Sequence, residues 1–302
     1  MNPPAPPGPL DRLVATAVAH HHIERWWGRQ HLVTAGPPGA PPVLLVHGWP
    51  QHWLAWRHVI AALAPTNRVV AVDLRGFGWS TCDSPAGTTV ADLADDLVVV
   101  LDHLAALDHV HHETAALVTH DWGGWIGFRA AQDAPRRFRR HCALGIVPPW
   151  LDPGAMLRRL PDWAYVVPMA VAGDRIALDA ATVRWLIDHS THDPLWHRPG
   201  DAEALGSYLD RVAQPGSAAM TRHLYATLLR RELPAAWATR RGTVEVPTTV
   251  VVGEHETIAR PELFWDRTEP GALRVATIPG ARHWLAEERP DALVAVLRAQ
   301  LS

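Results

Sequence analysis

Three short apolar runs constrain the fold of this chain more than anything else in it. Val43-Leu44-Leu45-Val46, Arg68-Val69-Val70-Ala71-Val72-Asp73 and Ala115-Ala116-Leu117-Val118-Thr119 alternate with stretches of helical spacing at residues 53–63 and 90–107. An apolar run without polar alternation reads as a strand buried on both faces, which is how strands of a helix-covered parallel sheet look. Each run stops abruptly: at His47-Gly48, at Arg75-Gly76-Phe77-Gly78, and at His120-Asp121-Trp122-Gly123-Gly124. A hairpin is expected ahead of them over residues 22–36, a helix from Trp125 to about Gln132, and a fourth strand over residues 143–147.

There the alternation breaks. Residues 148–237 carry no strand-like run and read as helices separated by Pro161, Pro168, Gly173, Pro199-Gly200, Pro215-Gly216 and Pro234. Strand patterning returns at Thr248-Thr249-Val250-Val251-Val252-Gly253 and over residues 273–278. The expected fold class is α/β, a mostly parallel central sheet with helices on both faces. Its core spans residues 1–147 and 238–302, split in sequence by a helical cap of about ninety residues, 148–237.

A formal charge of −3 over 302 residues gives no reason to expect a nucleic-acid partner, and no apolar run is long enough to suggest a membrane one. Met1-Asn2-Pro3-Pro4-Ala5-Pro6-Pro7 lacks the basic-then-apolar order of a signal peptide and is expected to be a short disordered lead. Two cysteines, Cys82 and Cys142, exclude a disulfide framework, fit a cytoplasmic setting, and are expected as small buried residues. His20-His21-His22 reads as a solvated chance cluster, because no second ligand set stands at metal-binding spacing.

The chemistry centres on Thr119-His120-Asp121-Trp122-Gly123. A small residue two before a nucleophile and a glycine two after it allow the tight strand-to-helix turn that lifts one side chain above the sheet. Serine at that apex performs acyl transfer, whereas aspartate is already ionised and displaces a leaving group at saturated carbon, leaving an ester. Hydrolysing the ester requires oxyanion donors, a base and an acid to orient the base. Trp49, in His47-Gly48-Trp49-Pro50, offers a backbone N–H to meet that of Trp122. His283, in Gly280-Ala281-Arg282-His283-Trp284-Leu285, is the candidate base, and Glu256, three residues beyond Gly253, the candidate acid. The plainer readings are a helix N-cap for Asp121, a surface histidine for His283 and a solvated loop residue for Glu256, with Glu254 and His255 as its rivals.

His47-Gly48-Trp49-Pro50, Asp73-Leu74-Arg75-Gly76-Phe77-Gly78-Trp79-Ser80, His120-Asp121-Trp122-Gly123-Gly124, and His283-Trp284 with Glu288-Arg289-Pro290 resemble the α/β-hydrolase-fold epoxide hydrolases. They resemble more distantly the haloalkane dehalogenases, which share an aspartate nucleophile. The resemblance runs over about residues 32–297. It implies an α/β-hydrolase fold and hydrolysis of an epoxide to a vicinal diol through a hydroxyalkyl ester on Asp121, with no cofactor and no metal. It also implies two cap tyrosines that bind the epoxide oxygen. Of Tyr165, Tyr208 and Tyr225, the first and last stand where the family carries its pair, and Tyr208 is left to packing. The family most often has aspartate at the position of Glu256. Trp49, Trp122, Trp150, Trp163 and Trp185 are expected to wall a pocket for a small apolar epoxide. A dehalogenase using the same Asp121, or a non-catalytic ligand-binding member of the fold, are the competing readings, and a homodimer is left open.

Overall fold

The computed structural model describes residues 8–110, 114–150, 152–193, 195, 197–238, 245–263 and 273–301. The segment 1–7, expected as a disordered lead, lies outside the described residues. Eight strands form one sheet: β1 (Ala19–Arg25), β2 (Gly28–Ala35), β3 (Pro42–Val46), β4 (Arg68–Val72), β5 (Ala115–His120), β6 (Phe138–Leu144), β7 (Thr248–Gly253) and β8 (Leu273–Ile278). Their spatial order is β1-β2-β4-β3-β5-β6-β7-β8. Only β1–β2 and β2–β4 pair antiparallel, and every pair from β4–β3 onward is parallel.

Side-chain alternation explains why the central runs are apolar throughout. Leu44, Val46, Val70, Val72 and Leu117 pack into one core with α2 (Val90–Asp108) and α3 (Trp122–Asp133). Their neighbours Val43, Leu45, Val69, Ala71 and Val118 pack into a second core with α1 (Arg57–Leu63) and the C-terminal helix (Pro290–Leu301). The chain leaves β3 to form β4 on one side and returns to form β5 on the other. That reversal opens a crevice beyond the carboxyl ends of β3 and β5, where open α/β sheets bind ligands.

Between β6 and β7 the described residues contain helices and no strand: α4 (Pro153–Arg158), α5 (Val166–Leu178), α6 (Ala180–His189), α7 (Asp201–Val212), α8 (Pro215–Thr227) and α9 (Leu233–Ala238). A π-helical turn over Leu228–Glu232 joins the last two. These helices, the cap, are tied to the core through a buried cation. The Arg57 guanidinium donates to Asp201 at 2.6 Å and to Glu287 at 2.7 Å, and the Tyr208 hydroxyl donates to Glu287 at 2.6 Å. Glu287 belongs to α10 (Leu285–Glu288), and the C-terminal helix is α11. Among the described residues no helix is long and apolar enough to cross a membrane.

Several sequence expectations need correction. The fourth strand was expected over residues 143–147, but β6 is Phe138–Leu144. Its first half is polar, with Arg139 donating to the Pro42 carbonyl, and Gly145 at φ 57° turns the chain out of the sheet. The hairpin begins at Ala19 and not at His22. His20 is no solvated bystander: it bonds His31 at 2.9 Å and Asp11 at 2.8 Å, and His31 bonds the buried Asp73 at 2.7 Å. Cys142 is buried as expected, whereas Cys82 is only partly so.

Candidate active site

The apex of the β5–α3 turn is Asp121, at φ 51° and ψ −121°. Positive φ is costly for a residue with a Cβ and persists only where surrounding structure enforces it. Here the Asp121 N–H donates to the Leu144 carbonyl at 3.1 Å, and its own carbonyl accepts the Gly124 N–H at 2.8 Å. Gly123 is required because a Cβ there would stand 2.5 Å from the carbonyl oxygens of Val46 and His47. The Asp121 side chain makes no helix-capping hydrogen bond, so the N-cap reading does not describe it.

The carboxylate instead meets the groups expected of a triad. Oδ1 accepts the Trp49 backbone N–H at 2.9 Å, and the Trp122 amide also hydrogen-bonds the carboxylate. Oδ2 lies 3.5 Å from Nε2 of His283. On the other side of that ring, Nδ1 meets Glu256 Oε2 at 2.9 Å, while Glu256 Oε1 accepts the Thr257 and Ile258 amides at 2.8 Å each. Glutamate reaches the histidine because the loop after β7 folds back over its own carboxylate. The rivals point elsewhere: Glu254 accepts the Gly280 N–H at 3.0 Å, and the His255 ring stacks on His192.

Burial pushes the His283 imidazole down, but Glu256 and Asp121 outweigh it and raise the pKa to about 10. Burial pushes both carboxyls up, and His283 with the backbone amides brings them below their ordinary values. Burial drives His120 down to about 4, so at neutral pH its uncharged ring donates Nε2–H to the His283 carbonyl at 2.9 Å.

Two cavities meet at Asp121. A narrow one of about 30 Å³ is walled by Trp122, Trp125, Ile146, Trp163 and Leu228. A wider one of about 170 Å³ is lined by Trp49, Leu186, Ile187, His283 and Trp284. Asp121, Tyr165, Tyr225 and Ile258 line both. The Tyr165 and Tyr225 rings are 6.2 Å apart, and Tyr225 stands edge-on to Trp122 at 5.3 Å. Burial and the nearby Asp121 carboxylate hold both phenols well above their ordinary value, so each keeps its proton.

The sequence-derived tryptophans divide. Trp49, Trp122 and Trp163 line the cavities, and the Trp163 indole donates to the Ile258 carbonyl at 3.2 Å. Trp150 is buried against Phe128 and lines a different cleft, which has only Trp125 in common with the narrow cavity at Asp121. Trp185 is 56% exposed and lies against His189, outside both cavities. It sits on the solvent side of α6, which contributes Leu186 and Ile187 to the wall instead.

Other contributors were not singled out from the sequence. Glu288 is buried, and its carboxylate accepts the backbone N–H groups of Arg282 at 3.1 Å, Trp284 at 2.9 Å and His192 at 2.8 Å. It therefore fixes the residues on both sides of His283 and ties them to the cap. The Trp122 indole N–H supports Tyr225, a contact no spacing rule signals. Glu288 had a signal, since it falls in the segment carrying the family resemblance. His58, Asp201 and Glu287 also converge closely enough to hold a cation, but the Arg57 guanidinium already sits between those carboxylates.

An acidic apex, a histidine paired with a second carboxylate, and two amides converging on the apex stand above the switch point of the sheet, an arrangement suited to hydrolysis through a covalent intermediate. A sequence profile described as alpha/beta hydrolase fold matches residues 41–290, and the chain belongs to that family. The soluble epoxide hydrolase of Corynebacterium sp. (strain C12) is 27% identical over 297 aligned residues, covering 93% of this chain and 96% of that protein. Epoxide hydrolase A of Mycobacterium tuberculosis (strain ATCC 25618 / H37Rv) is 29% identical, covering 89% and 92%. A solved structure of the epoxide hydrolase CorEH without ligand superposes with a TM-score of 0.76 at 25% identity, over 94% of this chain and 99% of that one.

Proposed function

We propose that the chain is an epoxide hydrolase that forms a vicinal diol through an ester on Asp121. The observation that carries this reading is the position of two protonated tyrosines on the same cavity wall as an aspartate nucleophile. Oδ1 is held by the Trp49 amide, which leaves Oδ2 to attack an epoxide carbon. As the C–O bond breaks, Tyr165 and Tyr225 donate hydrogen bonds to the departing oxygen, which takes the phenolic proton of one of them and becomes a hydroxyl; the proton that His283 gives up at the ester stage returns that phenolate to a phenol.

The ester removes the charge of Asp121, one of the two anions raising His283, so the imidazole loses its proton more readily at that stage. It then takes a proton from water as hydroxide adds to the ester carbonyl. Oδ1 becomes the oxyanion, stabilised by the amides of Trp49 and Trp122. Collapse expels the diol oxygen, which takes the proton from His283 and leaves Asp121 as a carboxylic acid; that acid then gives its proton to His283, restoring the carboxylate and the imidazolium. Glu256 holds the ring throughout.

In this reading residues 1–147 and 238–302 supply the nucleophile, base and acid, and the cap, 148–237, supplies both tyrosines. The substrate is a small apolar epoxide with water. A cytoplasmic location rests on the two unpaired cysteines. A homodimer has a surface available, because Leu157, Leu160, Val167, Val171, Leu178 and Trp185 are all more than half exposed on the cap. Sedimentation of the wild type against Val171→Glu tests that association.

The function is tested by incubating the wild type, Asp121→Ala, Tyr165→Phe and Tyr225→Phe with styrene oxide, an aliphatic epoxide and a haloalkane panel. Diol formation that is lost with Asp121→Ala and reduced roughly a hundredfold by each tyrosine change supports the proposal. Halide release without diol refutes it in favour of dehalogenation.

A further inference from the structure

The two cavities beside Asp121 differ in size and in what closes them, and an epoxide bound between the tyrosines and the nucleophile must place one carbon's substituents in each. The narrow lobe is walled by Trp122, Trp125, Ile146, Trp163 and Leu228, all of them buried. Its polar lining is limited to Asp121 and the tyrosines that both lobes share. At about 30 Å³ it has space for roughly two water-sized groups, since one water needs about 10–15 Å³. The wide lobe, at about 170 Å³, exceeds the roughly 150 Å³ cavity that accommodates benzene. Its polar lining residues Asp162, His189, Thr257 and Arg282 are partly or largely exposed, so a longer substituent in this lobe can run out past them toward solvent.

We infer that the enzyme takes unequally substituted epoxides: one carbon bears hydrogen or at most a methyl group, housed in the narrow lobe, and the other a phenyl-sized or longer substituent leading out through the wide lobe. Leu228 and Ile146 set the limit. Leu228 opens the π-helical turn three residues beyond Tyr225, so its side chain and the tyrosine are fixed by the same backbone. Ile146 closes the lobe from the core side, where β6 turns out of the sheet.

This inference rests on the epoxide hydrolase reading. Its test is kcat/KM for styrene oxide, trans-1-phenylpropylene oxide and trans-stilbene oxide with the wild type, Leu228→Ala and Ile146→Val. The methyl-bearing substrate should stay within about tenfold of styrene oxide, and stilbene oxide should fall by roughly a hundredfold or more, because added groups that a packed wall cannot accept cost about ten- to two-hundredfold. Leu228→Ala should raise the stilbene-to-styrene ratio by about tenfold and Ile146→Val by a smaller factor. Wild-type turnover of stilbene oxide within about threefold of styrene oxide would overturn the inference, as would a ratio unmoved by both variants. Absence of diol from the entire panel, together with no ester-sized mass gain in His283→Gln, would refute the epoxide hydrolase reading itself and this inference with it.

Discussion

Replacing Asp121 by asparagine should lower the pKa of His283 from about 10 into the range of roughly 7 to 8. The carboxylate oxygen stands 3.5 Å from Nε2 in a buried site. At an effective dielectric of about 20 such a pair is worth roughly 4–5 kcal/mol, or about three pKa units before relaxation. Glu256, at 2.9 Å from the other ring nitrogen, remains in place and keeps the imidazole above what burial alone would give. Long-range proton–nitrogen NMR of the imidazole, with His283→Gln to assign the signal, reads the change directly. A titration in Asp121→Asn within about half a unit of the wild type would show that the nucleophile's charge does not control the base. The mechanism depends on that control. A histidine near 10 is an imidazolium at neutral pH and cannot accept a proton from water, whereas the ester-bound enzyme mimicked by Asp121→Asn can. Turnover limited by ester hydrolysis should accordingly rise with pH through the lower value, and the ester should accumulate below it.

Two further outcomes follow from buried groups around the triad. Glu288→Ala deprives three backbone amides of their acceptor, and at about 1–3 kcal/mol for each unpaired buried group it should cost several kcal/mol, read as a lowered Tm. Glu288→Gln, which keeps an acceptor oxygen, should recover part of the loss and restore kcat more than stability. Arg57→Ala leaves Asp201 and Glu287 facing each other without a cation, and should destabilise by about 3–5 kcal/mol in denaturant unfolding. A loss under about 1 kcal/mol would mean that the clamp between cap and core is not held by this cation.

The central strands were legible because burial on both faces leaves no polar positions to blur them, and β3, β4 and β5 fall where their apolar runs stand. β6 begins ahead of the apolar run because Arg139 and Arg140 occupy its first half, where Arg139 donates to the carbonyls of Pro42 and Thr114. The elbow could be read from local sterics, since Gly123 and Thr119 are what a turn of that tightness admits. Glu256 is not encoded so locally: whether a glutamate reaches His283 depends on how the loop after β7 curls, and no residue pattern encodes that curl. Trp150 and Trp185 show the same limit for pocket walls. Composition marks a tryptophan as able to line a cavity, but the side of the helix or loop it occupies decides whether it does.

The most direct test of the account is the mass of His283→Gln after incubation with styrene oxide, followed by peptide mapping. The account predicts a stoichiometric gain equal to one substrate molecule, located on the peptide containing Asp121 and absent from Asp121→Ala. An unmodified protein that still forms diol, or a gain located on another residue, would contradict it.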